Sequence, residues 1–140
     1  MKLTEHFSDH EFAVSDTRPE LAKQISFSER DMVKLYFIAK MALEPVRRRF
    51  GRPVKILSGK RSPELNTAIN GEKHSMHLYL GHDECAVDFW IPGENMRGAF
   101  EWMRDNLQTI IGELLYYPDK NFIHYAPPSE RKIGFVKVMS

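Results

Sequence analysis

The stretch from Lys73 to Trp90 concentrates side chains that can bind a metal ion. Its eighteen residues, KHSMHLYLGHDECAVDFW, include three histidines, three carboxylates and the only cysteine of the chain. Each polar group buried in a protein core needs a partner, so a hydrophobic core has little use for such a mixture. Imidazole nitrogen, carboxylate oxygen and thiolate sulfur are the usual ligands of zinc. The stretch therefore predicts a zinc site. The side chains in it that are of a type able to bind zinc are His74, His77, His82, Asp83, Glu84, Cys85 and Asp88.

The composition is typical of a soluble globular protein. The chain has 140 residues, 42% hydrophobic and 28% charged, which suits a single domain over residues 1–140. Its net charge of +1 predicts no general attraction to nucleic acid. One cysteine excludes an internal disulfide framework. Because no signal peptide or membrane-spanning segment is evident, we expect a protein that is cytoplasmic as synthesised and has no membrane partner.

The hydrophobic pattern predicts two main helices. Apolar residues at three- and four-residue spacing favour a helix over residues 28–50, with Ser28 and Asp31 as a capping box. Pro45 should either kink this helix or start its final turn. A second amphipathic helix is predicted from residue 94 or 95 to Leu107.

Between and after these helices the chain alternates short apolar runs with turn residues. Residues 1–26 are predicted to be irregular, with hydrophobic anchors, and residues 64–69 to form a helical turn. The apolar runs predict short strands, largely antiparallel, which with the helices make an α+β domain. These strands cover residues 54–57, 86–91, 114–117, 122–125 and 133–138, the last at an edge of the sheet.

Four motifs follow one another in a specific order. Ser58-Gly59-Lys60-Arg61-Ser62 lies in a turn-rich loop, Ser75-Met76-His77 follows, and Ala86-Val87-Asp88 and then His124 lie on predicted strands. In this order the motifs resemble the zinc D-Ala-D-Ala carboxypeptidase family of peptidoglycan peptidases, whose fold is shared with the hedgehog signalling domain. Weaker similarities extend the resemblance over nearly the whole chain, at residues 3–12, 43–47 and 116–124.

The resemblance implies a zinc ion held by His77, Asp88 and His124. Three protein ligands leave one tetrahedral position open, as hydrolytic zinc requires, and the metal would polarise the scissile carbonyl and activate water. Arg61 matches the arginine that grips the substrate peptide, and a planar guanidinium suits a terminal carboxylate. Ser75 matches a serine that hydrogen-bonds the substrate or the site. The expected cofactor is Zn2+, and the expected partner is a peptidoglycan peptide.

Two departures from the family pattern lie close to these residues. Ten residues separate His77 from Asp88, whereas the family pattern has about six. This difference predicts an insertion that bulges out over residues 79–84. Asp83 in the insertion is an alternative ligand, although the A-x-D context on a predicted strand favours Asp88. In the loop motif, Lys60 replaces the usual tyrosine, which would alter the grip on substrate.

The third departure concerns the general base. A metallopeptidase needs a group that takes the proton of the attacking water and passes it to the leaving amine. The positions at which relatives carry this acid correspond to Asn121 and Tyr117, and neither is a carboxylate. The remaining candidate bases are Asp119, Glu113 and Glu84, and His74 beside the site is a candidate assistant.

The sequence therefore predicts a zinc metallopeptidase that hydrolyses peptidoglycan peptide bonds, as a D,D-carboxypeptidase or an endopeptidase. The alternative is a domain that binds zinc but has lost catalysis and serves as a wall-binding or phage structural module. The missing base and the insertion support that alternative. A third possibility, an interaction domain that binds no metal, would require the whole set of motifs to be a coincidence. The compact chain without an evident leader suits a phage-encoded enzyme that is released to the cell wall.

Overall fold

A five-stranded mixed sheet lies at the centre of the computed structural model, which describes all 140 residues. Its strands are β1 (Lys55–Ser58), β2 (Val87–Trp90), β3 (Glu113–Tyr117), β4 (Phe122–Ala126) and β5 (Phe135–Val138). They lie side by side in the order β1-β2-β4-β3-β5. The first three pairs in this order are antiparallel, and β5 is parallel to β3 at one edge. The predicted α+β fold with a largely antiparallel sheet is confirmed.

The helices are α1 (Pro19–Ala22), α2 (Glu29–Phe37), α3 (Glu44–Phe50), α4 (Pro63–Ala68) and α5 (Met96–Asn106). Of these, α5 corresponds to the predicted second helix, and Asn95 caps it by accepting a hydrogen bond from the backbone N–H of Arg97. The predicted helical turn at residues 64–69 is α4. Residues 1–26, which were predicted to be irregular, contain α1 and a 3-10 turn at Asp9–Phe12. No helix in the structure is both long enough and apolar enough to span a membrane.

The predicted helix over residues 28–50 continues throughout but is not α-helical throughout. Ser28 caps α2 as predicted, because its Oγ accepts from the backbone N–H of Asp31 and the Asp31 carboxylate accepts from the Ser28 N–H, both at 3.0 Å. Between α2 and α3 the chain makes a wider π-helical stretch at Ile38–Leu43. Pro45 lies in the first turn of α3 and has no N–H to donate, so the ladder widens before it and then resumes.

The two faces of the sheet have different roles. Residues that pair directly across neighbouring strands point to the same face. One face packs against the helices and is apolar: Val87, Phe89, Leu114, Tyr116, Ile123 and Tyr125 all belong to the main hydrophobic core. The opposite face, which we call the site face, carries one residue from each strand in a continuous row: Ser58, Asp88, His124, Leu115 and Lys137. Two of the three predicted metal ligands therefore lie in this row.

Candidate metal centre

His77, Asp88 and His124 converge on the site face although they are far apart in the sequence. Asp88 on β2 lies directly opposite His124 on β4, and His77 reaches them from a 3-10 turn at Met76–Leu78. Asp88 Oδ1 lies 3.1 Å from His77 Nε2 and 2.8 Å from His124 Nδ1, and the two nitrogens are 3.3 Å apart. All three residues are buried. We call this group the ligand trio.

The outer nitrogen of each histidine is held by a hydrogen-bond acceptor. His77 Nδ1 lies 2.7 Å from the carbonyl oxygen of Gly59, and His124 Nε2 lies 2.8 Å from Glu113 Oε1. A carbonyl oxygen or a carboxylate can only accept, so both outer nitrogens must carry the proton. In the neutral rings the lone pairs then sit on His77 Nε2 and His124 Nδ1, which face Asp88. This is the usual arrangement around a metal-binding histidine, in which a second group fixes the tautomer.

The donor atoms of the trio fit a zinc ion. Two imidazole lone pairs and a carboxylate oxygen meet at contact distance, and they repel one another unless a proton or a cation lies between them. Ligands at the usual zinc distances of about 2.0–2.1 Å are about 3.3 Å apart in a tetrahedron. The observed separations of 3.1 and 3.3 Å match this value and the third, at 2.8 Å, is shorter. Two imidazoles and one carboxylate are also a ligand set that zinc accepts, and it leaves a position open.

Electrostatics keep the trio close to the protonation state that a metal requires. Burial raises the pKa of Asp88, but His77 and His124 outweigh it and hold that pKa far below its usual range. Burial lowers the pKa of His77, so this ring is neutral. Burial also lowers the pKa of His124, but hydrogen bonds to Asp88 and Glu113 raise it to about 9. Metal binding near neutral pH therefore displaces one proton, from His124 Nδ1.

The loop that carries the predicted substrate arginine is bonded directly to the trio. The Arg61 backbone N–H donates to the His77 carbonyl at 2.7 Å. The Arg61 guanidinium donates to Ser58 Oγ and to Asn66 Oδ1, each at 3.2 Å, and its Nη2 lies 3.8 Å from Asp88 Oδ2. The structure thus places Arg61 beside the trio, with its orientation fixed by two polar side chains.

Ser75 also lies at the site, where it has a structural role. Its Oγ accepts a hydrogen bond from the His77 backbone N–H at 3.1 Å and so caps the 3-10 turn that presents His77. The side chain also lines the cleft over the trio. Its contact with substrate stays a prediction.

The insertion at residues 79–84 bulges away from the trio, as its length predicted. Tyr79 turns the chain with φ +57, in the left-handed region. The buried Lys34 side chain then donates to the Tyr79 carbonyl at 2.9 Å and to the Gly81 carbonyl at 3.0 Å. Cys85, which follows the insertion, packs in the core, and burial raises the pKa of its thiol to about 12. The insertion is therefore held against α2, and His82 at its tip is exposed.

The acidic residues of the insertion contact the segment before β5. Asp83 Oδ2 accepts from the backbone N–H of Glu130 at 2.9 Å, and Glu84 pairs with Arg131, with Nε 2.7 Å from Oε2. Asp83 is therefore absent from the trio, and Asp88 occupies the position for which the two were alternatives. Glu84, one of the three candidate bases, is committed to the ion pair with Arg131 and does not itself line the cleft.

The other two candidate bases differ in position. Glu113 lines the cleft, but its carboxylate accepts from His124, and this hydrogen bond lowers its pKa. Asp119 is exposed in the turn between β3 and β4 and does not line the cleft. Asn121, at a family base position, instead joins β4 to α5: its Oδ1 accepts from the Met96 N–H and its Nδ2 donates to the Glu94 carbonyl, both at 2.8 Å.

An open cleft of about 450 Å³ lies over the trio. Tyr117, at the second family base position, is on its wall, where burial and the nearby carboxylates raise the pKa of the phenol. The cleft also contains residues that the sequence did not single out. They lie in loops or on the edge strand, and they belong to no motif that would mark them as site residues. They are Glu72, Arg131, Lys132, Phe135, Lys137 and Met139, and the predicted assistant His74 lies among them.

Comparison with known proteins gives one match. A family model described as Peptidase M15 matches residues 6–126, which is well over half of the chain. The matched region contains the trio, the Arg61 loop and the insertion, and it ends before β5. No curated protein matches the chain, and no solved structure does.

Proposed function

The chain belongs to the Peptidase M15 family, a family of zinc D-Ala-D-Ala carboxypeptidases, and from this membership and the ligand trio we propose that it hydrolyses peptide bonds of peptidoglycan. The bond would lie in a stem peptide or a cross-bridge, and the enzyme would act as a carboxypeptidase or an endopeptidase. One observation carries the proposal: the outer nitrogens of both histidines are bonded to acceptors, so in the neutral rings both lone pairs are directed at Asp88 Oδ1. The cell wall would be its place of action.

Each histidine of the trio has a partner that prepares it for the metal. His77, Asp88 and His124 would hold zinc through Nε2, Oδ1 and Nδ1, while Gly59 and Glu113 keep the imidazole tautomers fixed. When bound, zinc supplies Lewis-acid polarisation of the scissile carbonyl and activates water for hydrolysis. Because the three ligands are buried and already in contact, little conformational entropy is lost on binding.

Arg61 is the residue that supports a peptide substrate with a free terminal carboxylate. Its guanidinium lies beside the trio on the cleft wall, and Ser58 and Asn66 already hold it in place. A fixed guanidinium loses little entropy when it binds a carboxylate in a bidentate manner. Arg61 would thereby place the peptide bond next to the terminal residue over the metal.

Glu72 is the side chain that we assign as proton acceptor. Glu84 and Glu113 are committed to Arg131 and to His124, whereas the Glu72 carboxylate lines the cleft without a hydrogen-bond or ion-pair partner. Glu72 and Tyr117 line the same cleft, and the Glu72 charge is one of several, after burial, that raise the pKa of the Tyr117 phenol. The Glu72 Oε would take the proton from the attacking water and return it to the leaving amine. Replacement by glutamine should reduce kcat by about 10²–10⁴-fold with bound zinc unchanged.

The experiment that tests the proposal measures metal and hydrolysis together. Protein purified without chelator should contain one zinc per chain, and purified sacculi or peptides ending in D-Ala-D-Ala should release D-Ala or free amines. Chelator should stop release and added zinc should restore it. His77→Ala should lose both the metal and the activity, and His82→Ala, in the exposed tip of the insertion, is the matched control. Wild-type protein with less than stoichiometric zinc and no dependence on His77 would overturn the proposal.

One observation favours a second function, that of a zinc-binding module without catalysis. Neither family base position carries a carboxylate, since Asn121 is bonded to α5 and Tyr117 is a phenol. Such a module would bind sacculi and keep its zinc, but it would release no product between pH 5 and 9, the range in which a water activated by zinc ionises. Binding without release, by protein with full zinc content, therefore identifies this alternative.

A further inference from the structure

The carboxy-terminal strand forms one wall of the cleft although it lies beyond the residues that match the family model. The match ends at residue 126, and β5 begins at Phe135. In the parallel pairing, Phe135 lies next to Glu113 and Lys137 lies next to Leu115, which is itself paired with His124. The side chains of Phe135 and Lys137 therefore extend the site face by one strand, and both line the cleft.

This wall is basic, and one of its cations has no partner. Arg131 is neutralised by Glu84, with Nε 2.7 Å from Oε2. Lys132 lies over the Phe135 ring at 4.2 Å, with its Nζ 3.9 Å from Glu113 Oε2. Lys137 makes no ion pair and no side-chain hydrogen bond, and it is exposed at the cleft. Its ammonium is therefore free to bind an anion without first breaking a contact.

We propose that Lys137 on β5 forms a subsite for a second carboxylate of the substrate, on a side chain one to three residues from the scissile bond. The inference rests on the proposed peptidase function and adds the class of substrate: an anionic peptide with a dicarboxylic residue near the cleaved bond. Adjacent strands are about 4.8 Å apart, so the Lys137 backbone lies about 10 Å from that of His124. An extended peptide covers this distance in about three residues, and the lysine side chain shortens it.

The expected preference follows from the strength of an exposed ion pair. Such a pair contributes up to about 1 kcal/mol, which corresponds to about a fivefold difference in affinity. Salt should reduce it, because the Debye length falls from about 10 Å at 0.1 M to about 3 Å at 1 M. A preference of about two- to fivefold for the carboxylate over the amide, lost at high salt, is therefore expected.

The test uses two synthetic peptides that end in D-Ala-D-Ala and differ only in a glutamate or a glutamine immediately before that dipeptide. The ratio of their kcat/KM values is measured with the zinc-loaded protein, and the ratio of their Kd values by calorimetry with chelator present. Lys137→Met should bring both ratios to about one and Lys137→Arg should retain them. Lys55→Met is the matched control, because Lys55 is exposed on the opposite edge strand and away from the cleft.

The outcomes separate this inference from the proposed function. If neither peptide is hydrolysed but the Kd ratio still depends on Lys137, the peptidase proposal fails and the subsite stands. If both peptides are hydrolysed with a ratio that Lys137→Met leaves unchanged, the peptidase proposal stands and the subsite is overturned. Equal Kd values for the two peptides in the wild-type protein also overturn it, because Lys137 is then only a solvated lysine.

Discussion

Replacement of Glu113 by glutamine separates a role in metal binding from a role in proton transfer. The Glu113 carboxylate accepts from His124 Nε2 at 2.8 Å and is largely buried, so it makes the imidazole a better donor at Nδ1. Glutamine has nearly the same shape and can still accept through its amide oxygen, but it carries no charge. The tautomer of His124 is then retained while its basicity falls.

The size of the effect follows from this geometry. Loss of a partner of this kind lowers metal affinity by about 10–100-fold, which is about 1.4–2.7 kcal/mol. The pKa of His124 in the metal-free protein, which the two carboxylates raise to about 9, should fall at the same time. Competition with a chromophoric chelator gives the zinc affinity, and NMR titration of the imidazole in the metal-free protein gives the pKa.

The control is Glu84→Gln, which removes a partly buried carboxylate that is paired with Arg131 and not with the trio. Its zinc affinity should remain within about twofold of the wild type, since no ligand changes. If Glu113→Gln binds zinc as tightly as the wild type and loses only kcat, Glu113 does not act through His124. That result would make Glu113 the general base, as one interpretation of the sequence had it, and would exclude Glu72.

Three further predictions concern the scaffold of the site. The metal-free protein should lose up to a few kcal/mol of stability at alkaline pH. The pKa of His124 is raised from 6.5 to about 9, so the stabilisation that this group contributes is complete below pH 6.5 and disappears as pH rises through 9. Urea unfolding at pH 6 and at pH 9.5, with chelator present, measures the loss. Gly59→Ala should lower zinc affinity and should cost about 2 kcal/mol or more of stability, because a Cβ would collide with the Phe12 carbonyl. Gly98→Ala, in open space on a helix, should leave both zinc affinity and stability unchanged. Asn121→Ala should lower the free energy of unfolding by about 1–3 kcal/mol through its two lost hydrogen bonds to the start of α5, with unchanged zinc affinity in the same competition assay.

The parts of the fold that the sequence predicted are those set by local signals. Ser28 and Asp31 cap a helix because the capping box is a local hydrogen-bond pattern, and the structure contains it. The π-helical stretch at Ile38–Leu43 was not predicted, because it comes from the geometry needed before Pro45 and leaves the apolar spacing intact. The direction of β5 was not predicted either, since an edge strand alternates in the same way whether it is parallel or antiparallel.

For the site, the sequence predicted the ligand trio and not the groups that orient it. His77, Asp88 and His124 could be assigned from the order of the motifs. The partners of the two histidines could not, because one is a backbone carbonyl at Gly59, which any residue possesses. The other, Glu113, comes within reach of His124 only through the pairing of β3 with β4, and that register is a tertiary property.

These orienting groups explain why the loop at residues 58–62 belongs to the site. The Phe12 carbonyl accepts from the Lys60 N–H at 2.9 Å, Gly59 lies against Phe12, and the Gly59 carbonyl holds His77 Nδ1. The chain is therefore fixed from the buried Phe12 anchor to a ligand nitrogen without a flexible side chain between them. A residue larger than glycine cannot enter this contact, so the sequence Ser-Gly-x-Arg serves two purposes at once. Its glycine orients the His77 ring through the backbone, while the arginine two residues later lines the cleft beside the trio.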